Sequence, residues 1–529
     1  MTSVDPGVSP WAPLRSAVYR SLFFAQLASN IGTWMQTVGA QWFLVDRQSS
    51  PTVIALVQTA SLAPTLLLAL FAGTIADVFD RRRVLLFATA YSVVVSGVMT
   101  VLAWTHTLTP YGLLALTFAT GIGAALAAPA WQAIQPELVP REQIPAASSL
   151  GSVTVNGARA IGPALAGVVV AAAGPGAVFA VNTASFLVVI GALVCWRRTP
   201  TQPTADRESL GGSIAAGIRY VNSAPIVRRI MLRSALFALP ASALWALLPI
   251  ASAEHLGLSA AGYGALLGVL GVGALAGVAA VPWLRATLSD NMVLALSALV
   301  FAAGTAAAGY LPLYPAVIAL TLAGTAWIAT LTTLNTAAQL SVAPWARARA
   351  LSVYLLVFMG AQAGGSLLWG YLASHAGLGA SLGVAAGLLV AVAASVLLVP
   401  LRAQTGTLDR ATSSAWPTPR LMFEPEPDDG PVLVTVSYRV ADDDVAQFTA
   451  AMRAVQKSRR RTGGYAWRLY RSGDDPQVML EQFVVPSWGE FRRQHRQRWL
   501  ASDHHAITAA LAFTVDRQPQ QRFYFQQLR

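Results

Sequence analysis

Arg159 stands inside an otherwise apolar run, "NGARAIGPALAG", three residues after Asn156 and three before Gly162 and Pro163. A guanidinium inside a long apolar segment is costly unless it faces a bundle interior or a wet cavity. In such a place it can hold an anionic group or respond to a neighbouring acid that carries a proton. Charge gathers a second time in "GTIADVFDRRRVLL", where Gly73, Asp77 and Arg81 follow one another at intervals of four and Arg82 and Arg83 come next. Other chemistry is excluded by what the chain lacks. Cys195 is the only cysteine, so neither an intrachain disulfide nor a cysteine-rich metal site is available. Lys457 is the only lysine and lies in "AVQKSR", so the chain has no Walker A phosphate loop. No metal and no cofactor is expected.

The elements that must position these residues are helices in a bilayer. Of 529 residues, 55% are hydrophobic and 11% charged, against roughly 25% charged in soluble domains. Apolar stretches long enough to cross a bilayer recur from Leu22 to Pro400. They predict twelve helices, at about 22–45, 52–76, 84–104, 110–132, 150–172, 176–196, 231–253, 262–282, 291–310, 315–336, 350–372 and 379–400. The first span has no cleavage site of small residues after a short apolar stretch and reads as a retained helix. Seventeen arginines fall on one side of these spans and only Arg47 on the other, which puts both termini in the cytoplasm and His106, His255 and His375 outside. The net charge of +12 comes mostly from these membrane-edge arginines, a poor pattern for binding nucleic acid.

The longest connection, 197–230, divides the helices into halves at 1–196 and 231–402. Two six-helix halves predict a transporter with a substrate site between them near the midplane. Polar side chains within spans most often tie helix to helix, for ~0.6 kcal/mol each. Here Asn30, Gln36, Gln132, Arg159, Asn335, Gln339 and Gln362 are expected to line the path, beside Trp34, Trp42, Trp131, Trp327 and Trp369. Such a cavity suits a bulky, partly apolar small molecule. A proton-coupled exporter needs a protonatable group reached from both sides in turn. Every acid between Leu22 and Pro400 falls at a span end or in a loop, and Asp46 and Glu254 are the nearest candidates.

The spacing Gly73-x3-Asp77-x3-Arg81-Arg82 resembles the loop motif of the major facilitator superfamily, G-x-x-x-D-R-x-G-R-R, with departures at Val78 and Asp80. The resemblance implies that Asp77 pairs with Arg81 or Arg82 as a latch on the inward side. The second half keeps Gly277 and Arg285 but has Val281 in place of the acid, so the halves are not expected to gate alike. Ala158-x3-Gly162-Pro163-x2-Ala166-Gly167 resembles the antiporter motif of drug exporters and implies export over uptake. The blocks "AQLASNIGTWMQTVGAQWFL", "APAWQAIQPELVPREQIPAASSLGSVTVNGARAIGPALAG" and "VNTASFLVV" resemble the enterobactin-exporter-like branch, the transmembrane secretion effectors. That likeness implies export of siderophores, macrolides or related metabolites across a bacterial cytoplasmic membrane.

After Pro400 the chain changes character. Residues 403–430 are polar and proline-rich and read as a linker. From 431 to 529 the order strand, helix, hairpin, helix, strand is that of a cytosolic α+β ferredoxin-like domain. It resembles the antibiotic-biosynthesis-monooxygenase-like fold, whose members usually dimerise, and so implies a homodimer. His495 and Trp467 have no nucleophile–base partner in the sequence, so a dimerising or regulatory module is expected rather than an enzyme. Two other readings stay open: a membrane-anchored enzyme acting through the tail, and an uptake transporter.

Overall fold

The computed structural model describes residues 9–196, 220–222, 224–402, 423, 425–496, 498–516 and 519–527, with the side chains of 69, 70, 74, 76–78, 344, 348 and 496 left out. Most of the connection at 197–230 and most of the expected linker at 403–430 lie outside the described residues. Four helices come first: α1 Ala17–Asp46, α2 Pro51–Val78, α3 Arg81–Trp104 and α4 Pro110–Ile134. Ile144–Cys195 follows as one run broken at Gly174, with φ 77° and ψ 172°. A left-handed residue costs glycine little, and Pro175 starts a helix without needing a partner for its missing N–H. The arms 144–173 and 175–195 are therefore two helices, α5 and α6. Six more follow: α7 Pro225–Ile250, α8 Ala260–Thr287, α9 Asp290–Tyr310, α10 Leu313–Ser341, α11 Arg347–Ala376 and α12 Leu378–Ala394.

Among the described residues nine helices are long and apolar enough to cross a membrane, with α5 and α6 counted as one. The others are α12, which is short, and α1, which carries Gln26, Asn30, Gln36 and Gln41. Twelve helices in two sets of six are what the apolar runs predict. Most begin somewhat earlier than expected, and the largest shifts are at α5, which starts at Ile144, and α7, which starts at Pro225, each with a proline in its first turn. Other starts are fixed by side-chain caps: Asp80 accepts from the Arg83 amide, Thr109 from Gly112 and Ser289 from Met292.

In lipid, helices gain nothing by hiding apolar surface from one another, so close packing of small residues holds the bundle. A methyl on Gly167 would lie 2.7 Å from the Ala260 carbonyl oxygen, and one on Gly271 would lie 2.6 Å from Ala160 Cα. These contacts draw α5 onto α8. Gly162 meets Trp34 Cβ at 2.7 Å in the same way and draws α5 onto α1.

The described residues form two compact units. The first contains those within Met1–Ala205, Leu232–Leu334 and Leu355–Pro400, and the second those within Asp206–Met231, Asn335–Tyr354 and Leu401–Arg529. The second unit holds β1 Val432–Arg439, α13 Val445–Thr462, β2 Tyr465–Arg471, β3 Val478–Val485, α14 Trp488–Arg496, α15 Ala501–Leu511 and β4 Gln520–Phe525. Its sheet runs β2-β3-β1-β4 with every neighbour antiparallel. Val432, Val434 and Val436 alternate onto one face of β1 and pack with Phe448, Met452 and Val455 of α13. The stretch from Trp488, expected as a single helix, is two helices.

Candidate functional site

Arg159 lies at the crossing that the small residues create. A narrow cleft there is lined by Trp34 of α1, Arg159 and Pro163 of α5, Trp245 of α7, Leu267, Leu270, Gly271 and Ala274 of α8, and Gly324 and Trp327 of α10. The Arg159 guanidinium carbon sits 5.5 Å from the Trp34 ring centroid. Trp34 leads to Trp245 at 6.4 Å and Trp245 to Trp327 at 5.4 Å, while Phe237, Phe301 and Phe358 back Trp327. Arg159 Nε, Trp245 Nε1 and Trp327 Nε1 are sealed from water and have no hydrogen-bond partner among the described residues. All three are donors, and no lining residue is acidic. A buried polar group without a partner costs ~1–3 kcal/mol, which a ligand rich in oxygen acceptors would recover.

Both halves contribute to this cleft, and among the described residues the direct polar contacts between them lie between it and the end that carries His106, His255 and His375. The Tyr263 hydroxyl donates to Gln41 Oε1 at 2.6 Å, and Gln41 Nε2 donates to the Trp245 carbonyl at 3.3 Å. Trp42 stacks on Tyr263 at 5.9 Å. On the other side of the bundle, α2 meets α11. Thr52 and Ser374 hydroxyls are 2.7 Å apart, Thr59 donates to the Ala363 carbonyl at 2.9 Å, and Gly370 lies against Ala55.

The remaining path residues fall elsewhere. Gln36 is buried in a knot within the first half, where Asn182 Nδ2 donates to its Oε1 at 2.5 Å and Ser96 Oγ at 3.2 Å. Its Nε2 reaches Thr120 Oγ1 at 3.4 Å. Asn30 accepts from Gln26 at 3.0 Å and donates to Thr154 at 3.4 Å, beside a second cleft lined by Tyr19, Gln26, Trp131, Gln135 and Thr154. Gln132 is exposed on α4 and Gln362 buried on α11. Asn335 and Gln339, both exposed, bond to each other at 3.1 Å within the second unit. Of the seven expected path residues, only Arg159 lines the first cleft. Trp245, which the sequence does not mark, lines it as well.

Within the helix-five motif, Asn156 donates back to the Ser152 carbonyl at 3.0 Å, while Gly162 and Gly167 serve the crossings described above. In the 73–86 turn the Asp77 side chain lies outside the described residues. Gly73 has open space where a side chain would be. Arg81 donates to Glu137 at 2.6 Å and to the Ala133 carbonyl at 3.0 Å, and Arg82 to the Leu193 and Val194 carbonyls at 2.7 and 3.0 Å. These bonds tie the start of α3 to the ends of α4 and α6. In the second half Arg285 pairs instead with Asp290 at 3.1 Å. Asp46 and Glu254 are both exposed at helix ends.

The tail's polar interior is built differently. Glu481 receives Arg459 at 3.0 and 3.3 Å, the Tyr438 hydroxyl at 2.7 Å and Trp467 Nε1 at 2.9 Å. Burial, with the Glu481 charge beside it, lifts the Tyr438 hydroxyl well above the usual tyrosine range. Burial first, and then the Arg459 charge, press His495 down to about 3. An imidazole held that low is a weak general base at neutral pH. Among the described residues no group of His, Cys, Asp and Glu could hold a metal.

Comparison with known proteins places this geometry. Residues 8–527 match the family described as "Transmembrane secretion effector". The staphyloferrin A transporter of Staphylococcus aureus is 34% identical over 143 residues, 27% of this chain and 36% of that protein. The multidrug efflux pump Tap of Mycobacterium tuberculosis is 26% identical over 216 residues, 39% of this chain and 51% of that one. The chain thus spans between a third and about half of the length of these relatives. Among solved structures, a bacterial homologue of the human lysosomal transporter Spinster, inward-facing and unoccupied, superposes with TM-score 0.58 at 15% identity, over 73% of this chain and 95% of that one. The nucleoside transporter NupG gives 0.55 at 12% identity, over 72% and 99%.

Proposed function

The chain belongs to the transmembrane secretion effector family and has the major facilitator fold, and we propose that it exports a bulky, oxygen-rich or anionic small molecule across a bacterial cytoplasmic membrane by alternating access. One observation carries this reading: a cleft shared by both halves offers three sealed donors and three indole rings, and no lining acid. A siderophore, a macrolide or a related drug-like compound has acceptors for the donors and apolar surface for the rings. The relatives' names, a siderophore transporter and a multidrug efflux pump, favour the same class. The helix-five motif and the efflux pump's likeness favour export over uptake. The arginine distribution supports placing both termini in the cytoplasm.

Alternating access needs a closure at each end. Gln41–Tyr263, Thr52–Ser374 and Thr59–Ala363 supply one at the arginine-poor end. At the other end the Gly73–Arg82 turn is the latch, with Asp77 as its acid. Protons drive the cycle, with Asp46 and Glu254 as the candidate carriers. A tail whose buried histidine is held neutral supports a non-enzymatic module, and the exposed sheet edges leave room for a second copy.

The test is efflux from cells expressing the chain, across a panel of siderophores, macrolides and dyes, with and without a protonophore. Accumulation that rises when the gradient collapses is expected, and deleting 403–529 should leave part of the efflux. Complete loss on that deletion, with the bundle still in the membrane, would move the activity to the tail. Asp77→Asn should cost transport at unchanged membrane abundance, and normal efflux by it would remove the latch.

A further inference from the structure

The turn between α10 and α11, Pro344–Ala346, is held within the tail's compact unit together with both of its flanks, 335–341 and 347–354. Trp345 explains how. The guanidinium carbon of Arg498, from the tail, lies 4.9 Å from the Trp345 ring centroid. Tyr220, from the segment before α7, meets the same ring edge-on at 5.3 Å. The Tyr220 hydroxyl accepts from the Ala343 amide at 2.9 Å and donates to the Ser341 carbonyl at 3.5 Å, so it also fixes the backbone leading into the turn. Arg498 does not wander. Glu490 receives it at 2.5 and 3.1 Å and the Thr462 carbonyl at 3.1 Å, and both Arg498 and Glu490 are buried.

We propose that the tail domain is a clamp on the α10–α11 turn, with Trp345 gripped between Tyr220 and Arg498, and that this clamp slows the transport cycle. A passenger domain on a polar linker needs no aromatic seat on a distant turn. The seat is preorganised on both sides, by an ion pair behind the guanidinium and by two backbone hydrogen bonds behind the phenol. Preorganised partners lose little freedom on engaging, so the contact holds firmly. α10 runs from Leu313 to Ser341, so Gly324 and Trp327 of the cleft and the clamped end belong to one helix. Any rocking of one half against the other must move that end, and must then carry a folded domain with it or open the grip. Arg498, Tyr220 and Trp345 are positioning residues in this device and touch no substrate.

The inference rests on the transport reading, and one experiment separates the two. Full-length protein and Trp345→Ala are compared by hydrogen exchange in detergent and by efflux at matched membrane abundance. Released from the grip, the peptides covering 341–347 and 488–500 should exchange several-fold faster, and efflux should rise roughly three- to tenfold, the scale of one half-buried cation–π contact. Unchanged exchange in both peptides would overturn the clamp. Faster exchange with efflux equal to or below wild type would overturn the brake. Wild-type chain that moves no compound would defeat the transport reading, while the exchange comparison would still decide the contact. Should Trp345→Ala fail to accumulate, Tyr220→Phe removes only the hydroxyl bonds and should shift both measurements in the same direction by less.

Discussion

Two arginines set against tryptophan rings show how differently the two compact units treat charge. Arg459 of the tail lies 5.2 Å from the Trp499 centroid and is received by Glu481 through two bonds, with Tyr438 and Trp467 filling the same carboxylate. Arg159 of the bundle lies 5.5 Å from Trp34, and its Nε has no acceptor among the described residues. A buried carboxylate of the same domain answers the first guanidinium, which makes it part of that domain's own architecture. The second has no acid in its cleft, so under the proposed transport an acceptor carried by the substrate would complete it. The same contrast separates Gln36, whose amide is used up by Asn182, Ser96 and Thr120, from the indoles of Trp245 and Trp327.

The comparison breaks most readily at the tail. Glu481→Ala leaves the Arg459 guanidinium buried without its carboxylate, which costs about 3–5 kcal/mol. Loss of protection throughout α13 and the sheet is expected in hydrogen exchange, with part of the efflux retained. A tail that stays protected would mean that the ion pair is not what holds it.

Arg159→Ala tests the other side. A charged hydrogen bond is worth ~1.5–3 kcal/mol, so efflux should fall about ten- to a hundredfold while the protein stays folded, because the substitution leaves no orphaned carboxylate. Arg159→Lys should recover only part. Unchanged efflux in the alanine variant would reduce Arg159 to packing.

The sequence already showed the charge of Arg159, but it could not show which polar groups were spoken for. A span's apolar run and its proline and glycine punctuation are local, so the twelve helices and the succession of strands and helices in the tail were readable from neighbours in the chain. Gln36 and Gln41 look alike in "MQTVGAQWF". One is turned into the first half toward Asn182 and the other across the halves toward Tyr263, a choice made by helices remote in sequence. Trp245 sits in "ASALWALLP", where Ser242 is the one polar neighbour and does not mark it. Only the convergence of α1, α5, α7, α8 and α10 gives its N–H a meaning. The two arms of the tail's second helical stretch were missed for the opposite reason. The break at Trp499–Leu500 carries neither glycine nor proline.

A smaller effect sharpens the account of the tail. His495 is buried beside Arg459 and held near 3, well below an ordinary histidine. A depressed folded value means that stability is complete above the unfolded pKa of ~6.5 and is lost as pH falls toward the folded one. By linkage the loss at pH 5 is about 2 kcal/mol. His495→Gln carries no such proton, so its unfolding free energy should change less than wild type between pH 7 and 5. Parallel profiles would show that His495 protonates no harder in the folded tail than in the unfolded chain.

The smallest predicted effect lies between the architectural and the vacant groups. The Gln41–Tyr263 bond is satisfied in this state, yet it joins the two halves and must break whenever the arginine-poor end opens. Its net value in one state is ~1 kcal/mol, enough to shift a two-state balance about fivefold. Tyr263→Phe keeps the stack on Trp42 and removes only the hydroxyl. In a Cys195→Ser background with Ala261→Cys as reporter, labelling by an impermeant maleimide added from outside should become about fivefold faster. If the rate is unchanged, the opening does not pass through this bond, and closure at that end rests on the α2–α11 contacts at Thr52, Ala55 and Thr59.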